Sequence, residues 1–573
     1  AVMSRKRALS SSSDLTSKRV LNDKSVVTVA IDFGTAGTGY GYSFLGSDVI
    51  EAKEPGGQEA RKTLTNLLLA RDGSFKSFGF EARREYAESQ QGAFFQNYKM
   101  ALQPASNGFD QVKALDGSTW SLLEVVSKTL RYVKEEALQE CGRSMPSGMD
   151  PKDVQWVLTV PAIWMDGAKG FMRKAAFQAG MIETLESPKL VLALEPESAA
   201  IACDVHQKAS PGETFMVLDT GGGTVDITMN TLKSASPLRF DEVAAPSGGP
   251  WGSTYVDKQF ENFVEALIGR QNFATYKASP FWIDMQEAWE KLKLATDSSD
   301  TPRALNMASV LEVLVNEMKL DDLVNTYNST HNTALKMRGR STVVFPAEMV
   351  RGFFKPVLDS ICAHVARLVA AHPVKYIFLV GGFAESQILQ DAIKGRFSSA
   401  NRHVIIPVRP GLAVLRGAVQ FGQNQDVFST RVARFSYGIN TSRRFDSTNP
   451  VHARAEQFTE TLMGQPVKYA RDIFRSCVKV GTKLPAGHEA STHGWHTIRD
   501  SQTSITFDLY ATPLGHVDFC TDPSCKKIGS VEVPCHRSEK IDVTLQFGAT
   551  EIVVSATNQT TGEKRAANVT YNH

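Results

Sequence analysis

The sequence predicts an α/β chain of two similar lobes followed by a smaller β-rich unit, and three observations carry that prediction. The stretch Thr214-Phe-Met-Val-Leu-Asp219-Thr-Gly221-Gly222-Gly223-Thr224-Val-Asp226-Ile-Thr228 is an apolar run, an acidic residue, a glycine turn and a second apolar run. It reads as strand, sharp turn and strand. The same order stands 187 residues earlier (219 minus 32), in Val26-Val-Thr-Val-Ala-Ile31-Asp32-Phe-Gly34-Thr35-Ala36-Gly37-Thr38-Gly39-Tyr40-Gly41, so a duplicated architecture is expected. From about residue 430 the apolar residues (Leu509, Ile528, Val531, Val533, Ile541, Val543, Leu545, Ile552, Val554) fall in short, partly alternating runs between turns such as Thr521-Asp522-Pro523-Ser524, a pattern of antiparallel β structure.

Each glycine turn has the chemistry of an anion site. Glycine lets backbone N–H groups approach an anion closely, Thr224 adds a hydroxyl, and Asp219 adds a carboxylate able to hold a hydrated Mg²⁺. Asp32 repeats that acid in the first turn. A third glycine turn, Gly381-Gly382-Phe383-Ala384-Glu385-Ser386, follows the apolar run Tyr376-Ile-Phe-Leu-Val380. Two lobes that each offer a phosphate-sized loop imply a nucleotide held between them. Other nucleotide folds fit poorly: the chain has no Gly-Lys dipeptide, which excludes a Walker-type loop, and Gly37-x-Gly39-x-Gly41 has the wrong spacing for a dinucleotide fingerprint.

The remaining elements follow in order. Residues 1–24, with Ser10-Ser11-Ser12-Ser13 and a short basic cluster Arg5-Lys6-Arg7, are expected to be a disordered lead. Residues 51–75 are mostly polar, and 76–140 carry helical periodicity, clearest in Ser121 to Lys134. Asp153 to Val160 reads as a strand, Ala168 to Gly180 as a helix, and Lys189 to Leu194 as a second buried strand. Glu195 precedes Pro196, which places it on a bend before a small-residue helix containing Ala199 and Ala200. A helix over Asp284 to Leu294 sets Glu290 and Lys293 one turn apart, the spacing of a surface ion pair. Residues 346–372 and 411–422 read as helices flanking the third turn.

Composition narrows the class. With 573 residues the chain exceeds one core. A formal net charge of +2 supplies no general attraction to nucleic acid or anionic membrane, and no apolar run approaches the roughly eighteen residues of a membrane helix. Seven cysteines without framework spacing suit a reducing compartment, so a cytoplasmic location is expected, with nuclear entry through Arg5-Lys6-Arg7 as the alternative. Cys520, Cys525 and Cys535, beside His516 and His536, are a minor zinc alternative that lacks paired Cys-x2-Cys spacing.

The three glycine turns together resemble the phosphate-1, phosphate-2 and adenosine motifs of the actin-like (duplicated ribonuclease-H-like) ATPase superfamily. Val160-Pro161-Ala162 and Leu194-Glu195-Pro196-Glu197-Ser198-Ala199-Ala200 are similar to its heat-shock-protein-70 branch. Ala30-Ile-Asp-Phe-Gly-Thr35, Val160-Pro-Ala-Ile-Trp164, Phe378-Leu-Val-Gly-Gly-Phe-Ala-Glu385 and Leu545 to Ile552 resemble its divergent member-12 type. The resemblance implies lobe I over 25–210 with a peripheral insertion near 51–140, lobe II over 211–428 with one near 246–344, and a β domain over 429–573. It implies ATP or ADP with Mg²⁺ as ligands. Asp32, Gly34, Thr35, Ala36, Gly37, Gly221, Gly222, Gly223 and Thr224 would hold the phosphates, and Asp32 and Asp219 would orient Mg²⁺ through water. Glu290, Lys293, Gly381, Gly382 and Phe383 would hold adenosine. Glu195, Asp219, Asp226 and Thr224 would order the attacking water, and Arg83 falls where the family's catalytic lysine is expected.

Three departures bear on turnover. Arg83 replaces that lysine, Ala36 a threonine of the first loop, and Gly411 an acid of the last hinge. The expectation is therefore a slow ATPase acting as a chaperone or partner-binding switch, with protein clients or co-chaperones as partners. The alternatives are a pseudo-ATPase scaffold and a small-molecule kinase of the same fold.

Overall fold

The computed structural model describes residues 25–47, 49–53, 62–103, 110–143, 149–312, 319–462, 465–499, 501–536, 538–547 and 550–568. The expected disordered lead, residues 1–24, lies outside the described residues.

Two sheets built to one plan form the body of the chain. In the first, Val27–Phe33 turns back on Gly37–Phe44 as an antiparallel hairpin and pairs in parallel with Val154–Val160, which pairs in parallel with Leu190–Leu194. In the second, Thr214–Thr220 turns back on Val225–Ala235 and pairs in parallel with Tyr376–Val380, itself parallel to His403–Ile405. The central strands are buried along their whole length. Parallel strands covered on both faces need such unbroken apolar runs.

Two short helices cross between the sheets. Glu195–Ala202 packs against Ala413–Gln423, and the approach is close enough that a Cβ built on Gly417 would stand 1.6 Å from the Ser198 carbonyl oxygen. Only a residue without a side chain permits it.

Each sheet carries a peripheral unit. The periodicity over 76–140 predicts helix throughout, but the structure alternates: strand Phe75–Phe78, helix Gly79–Ser89, strand Ala93–Gln96, a 3-10 turn Tyr98–Leu102 and helix Leu122–Arg143. The physical reason is Phe94-Phe95, both fully buried in the small sheet paired to Asn66–Leu69, where cross-strand packing overrides the local helical pattern. The second unit is mostly helical, with Phe281–Leu294 facing the cleft.

Beyond the second crossing helix, a five-stranded antiparallel sheet (order 457–462, 465–478, 436–444, 504–512, 526–534) faces a four-stranded one (489–495, 541–546, 553–558, 564–568). Ile439, Leu509, Val533, Ile541, Val543 and Leu545 fill the space between them. Lys483–Pro485, from within this C-terminal stretch, leaves the β unit and pairs with Phe428–Val432 at the edge of the second body sheet. No described helix is long and apolar enough to cross a membrane.

Candidate nucleotide-binding site

Between the two body sheets lies a cavity of about 1090 Å³, and both glycine hairpins open into it. Asp32 and Asp219 occupy equivalent places near the ends of their strands, 3% and 4% exposed. The glycines let the two tips meet. A Cβ on Gly222 would come within 2.8 Å of the Ala36 Cβ, and one on Gly223 within 2.6 Å of the Thr35 hydroxyl oxygen. The third turn closes the same way: Gly381 has φ +92°, and a Cβ there would stand 2.4 Å from Asp219 Oδ1.

Four carboxylates converge on the cavity floor or just behind it: Asp32, Glu195, Asp219 and Asp226. For Glu195, Asp219 and Asp226 burial disfavours the charged form, and for Glu195 and Asp219 the neighbouring carboxylates add to it. Glu195 is pushed up to about 7, by burial first, with the nearby Asp226 and Asp32 adding to the rise and Lys99 opposing it. Asp219 is raised well above the usual carboxylate range, by burial and then by Glu195, Asp226 and Asp32. Asp226 is also raised by burial, against the Ile163 N–H and the Thr224 hydroxyl that hydrogen-bond to it.

Two lysines answer these charges, and the sequence reading assigned neither. Lys99 donates to Glu195 Oε1 at 2.7 Å. It is 3% exposed, with its ammonium 5.7 Å from the Phe33 ring centroid and 5.2 Å from that of Trp164. Asn97, at φ +53°, turns the chain out of strand Ala93–Gln96 and sends Lys99 inward. Lys62 pairs with Asp32 Oδ2 at 2.5 Å, while Thr159 donates to Asp32 Oδ1 at 3.0 Å. Burial works against the Lys62 ammonium, but Asp32, Asp219 and Glu195 outweigh it and hold the lysine above its ordinary range.

Asp219 stands apart from its neighbours. Among the described residues it has no hydrogen-bond or ion-pair partner, although it is nearly buried and faces the cavity. A buried carboxylate without a partner calls for a cation. The residues present therefore fit a hydrated Mg²⁺, with Asp219 as the open ligand and Asp32 opposite.

Three expected placements need correction. Arg83 does not face Glu195: its guanidinium lies at the cleft mouth, 3.5 Å from Glu290 and 3.8 Å from Glu287 on the opposite lobe. The cations at the carboxylates are Lys99 on Glu195 and Lys62 on Asp32. Glu290 and Lys293 do not pair with each other, because Lys293 turns to Asp257 at 2.6 Å while Glu290 reaches across the cleft. Glu195 is the first residue of its helix, with Leu194 as the extended cap and Pro196 in the first turn. Gly34, Gly37, Gly221, Gly382, Phe383 and Thr224 all line the cavity.

The cleft mouth carries a contact that neither lobe makes alone. Ile283, 2% exposed, packs among Leu68, Ala82, Tyr86 and Phe94 of the other lobe, and Gln286 meets Gln96 amide to amide at 3.3 Å. On the far side, Asp226 Oδ1 accepts from the Ile163 N–H at 2.8 Å. The carbonyls of Ala162, Ile163 and Trp164 accept from the Arg434 guanidinium at 2.7, 3.1 and 3.0 Å, at the entrance to the β unit. Arg173 forms a two-bond pair with Glu551 of the β unit at 2.8 and 2.5 Å. Of the three late cysteines, Cys520 and Cys525 share a small cluster with Phe474 and Val517, while Cys535 belongs to the sandwich core.

The sequence is similar to those of known proteins. The family model for Hsp70 protein matches residues 74–337. The chain is 29% identical to heat shock 70 kDa protein 12A of Homo sapiens over 93% of its own length and 89% of that protein. It is 29% identical to heat shock 70 kDa protein 12B of Homo sapiens over 95% and 91%. The chaperone protein DnaK of Metamycoplasma hominis is 23% identical over 58% of this chain and 51% of its own. The likeness to DnaK covers little more than half of the chain, whereas that to 12A and 12B runs nearly end to end. With its duplicated hairpins and actin-like body, the chain resembles the heat-shock protein 70 family, whose model it matches over residues 74–337, and is similar nearly end to end to heat shock 70 kDa proteins 12A and 12B.

Proposed function

We propose that the chain binds Mg-ATP between its lobes, hydrolyses it slowly, and passes the state of the nucleotide to the C-terminal β unit, which engages a protein partner. The observation that carries this reading is the Lys99–Glu195 pair, set among Asp32, Asp219 and Asp226 on the floor of a cavity that both glycine loops enter.

Phosphoryl transfer asks a protein chiefly for positioning and charge neutralisation. Backbone amides of Gly34 to Gly37 and Gly221 to Thr224 would face the terminal phosphates. Asp219 and Asp32 would hold hydrated Mg²⁺, which when bound neutralises phosphate charge. Lys99 adds a fixed cation and holds the Glu195 carboxylate in place. Glu195, poised near neutrality, is a competent acceptor for the proton of an attacking water. With Lys99 at this position, the arginine at 83 no longer weighs against turnover. Glu290, Lys293 and the turn at Gly381–Phe383 would bound the nucleoside.

A route outward starts at Asp226. Its carboxylate fixes the Ile163 N–H, and the adjoining carbonyls fix Arg434. A shift of the second phosphate loop would thus be felt at the first residues of the β unit.

The test is Mg-ATP affinity by calorimetry followed by single-turnover hydrolysis. Asp219→Ala should weaken Mg-ATP binding, with Asp522→Ala in a turn of the β unit as the neutral control. Lys99→Ala and Glu195→Gln should leave binding nearly intact and lower hydrolysis about a hundredfold or more. ATP bound but never cleaved would identify a scaffold, and phosphate passed to an acceptor other than water would identify a kinase.

A further inference from the structure

Among the described residues, Lys62 is the one cation on the cavity floor whose present partner accounts for only part of its setting. It follows the polar stretch 51–61 in sequence and looks like a surface residue there. The short strand Thr63–Leu64 pairs with Thr38 and Gly37, so Lys62 arrives beside the first phosphate loop. Its aliphatic stem lies across two bare glycines. A Cβ on Gly37 would come within 3.3 Å of the Lys62 Cβ, and one on Gly39 within 3.2 Å of its Cγ. Any side chain at either place would lift the stem, so the first hairpin is shaped to carry this lysine inward. The ammonium then reaches Asp32 at 2.5 Å while its side chain keeps 21% of its surface exposed to the cavity.

The charge balance separates Lys62 from Lys99. Lys99 is sealed between Phe33 and Trp164 and committed to Glu195. Lys62 sits at the open side of Asp32, on a flexible stem with three donors, next to a loop in which Ala36 offers no hydroxyl to a phosphate.

We propose that Lys62 is a resident phosphate-binding cation, parked on Asp32 while the cleft is empty and turned to the terminal phosphates of a bound nucleoside di- or triphosphate. It supplies charge neutralisation at the phosphates beyond that of Lys99 and a divalent ion. This rests on the nucleotide-binding reading above and adds to it a defined consequence: part of the affinity for phosphates does not need metal.

The experiment is calorimetry of the full chain with ADP, ATP and AMP, each in Mg²⁺ and in EDTA, for the unmodified protein, Lys62→Met and Lys62→Arg. The unmodified chain should keep ADP and ATP affinity in EDTA within about tenfold of the Mg²⁺ value. Lys62→Met should lose about tenfold or more beyond that in EDTA and clearly less in Mg²⁺, with AMP unaffected and Lys62→Arg close to the unmodified chain. A second measurement uses the unmodified chain alone: acylation of Lys62 by an activated ester, followed by mass spectrometry, should be slowed by ADP in EDTA and not by adenosine. Equal losses for Lys62→Met in both buffers, no loss in either, or acylation indifferent to ADP would overturn the assignment. Failure of the unmodified chain to bind any nucleotide would overturn the underlying reading as well, which distinguishes the two.

Discussion

Replacing Ile283 with alanine tests whether the mouth of the cleft is a latch. Ile283 stands on helix Phe281–Leu294 of one lobe, and Leu68, Ala82, Tyr86 and Phe94 of its cluster all belong to the other. At 2% exposure the side chain is fully engaged, so its loss removes contact between lobes and leaves the packing within each lobe largely intact. Large-to-small changes of this kind cost about 2–5 kcal/mol, and the lower half of that range applies because the gap is refilled by water when the cleft opens. About 2 kcal/mol taken from the closed state corresponds to roughly thirtyfold in the opening equilibrium, at 1.4 kcal/mol per tenfold. Release of a fluorescent adenine nucleotide, chased with unlabelled ATP in a stopped-flow instrument, should accelerate by about that factor. Arg83→Ala, which removes half-solvated ion pairs to Glu287 and Glu290, should accelerate release only about two- to fivefold. A release rate for Ile283→Ala within twofold of the unmodified chain, with circular dichroism unchanged, would refute the latch.

Four further outcomes are expected. Hydrolysis that uses the Glu195 carboxylate should rise from pH 6 to 8 with an apparent midpoint near the value of about 7, and Glu195→Gln should flatten the profile. Because that carboxyl is raised in the folded state, its contribution favours folding below its unfolded value and is lost as pH climbs towards 7, so Glu195→Gln should raise the thermal midpoint more at pH 8 than at pH 5. Arg173→Met strands Glu551, whose side chain is 14% exposed, and should cost about 3–5 kcal/mol; the double change with Glu551→Leu should restore part of it, the rest staying lost at the Leu185, Ser187 and Leu190 carbonyls, read by urea unfolding. Gly417→Ala forces the crossing helices apart at the Ser198 carbonyl and should destabilise by at least about 1–3 kcal/mol, seen as a lowered thermal midpoint.

The glycine hairpins were legible because strand, turn and strand are neighbours in sequence, and Asp32 and Asp219 come with them. Their duplication then predicts two sheets of one plan. What escaped the sequence depends on contacts between distant segments. Lys99 lies in a stretch whose local periodicity reads as helix, and only the small sheet around Phe94 and Phe95 turns it inward. One signal was available: a lysine following Phe94-Phe95-Gln96-Asn97-Tyr98 is a charge set in an apolar run, which on a surface would be unusual. Lys62 had no such mark, since a polar flank conceals it and the glycines that receive its stem stand more than twenty residues away. Arg83 was assigned from the family resemblance, and its ion pairs with Glu290 and Glu287 across the cleft place it elsewhere.

The edge strand Lys483–Pro485 alters what counts as a separable piece of this molecule. It comes from within the β unit, yet its backbone hydrogen bonds complete the second body sheet beside Phe428–Val432, and the Ala486 N–H continues the seam onto the Ser429 carbonyl. A cut placed in the chain near residue 430 would therefore leave the two-sheet body with an unpaired strand edge, a template for adhesion between copies. It would also leave the β half with a segment that has lost its partner. The two halves are stitched rather than tethered, so motion between them must bend a continuous sheet instead of swinging on a free linker.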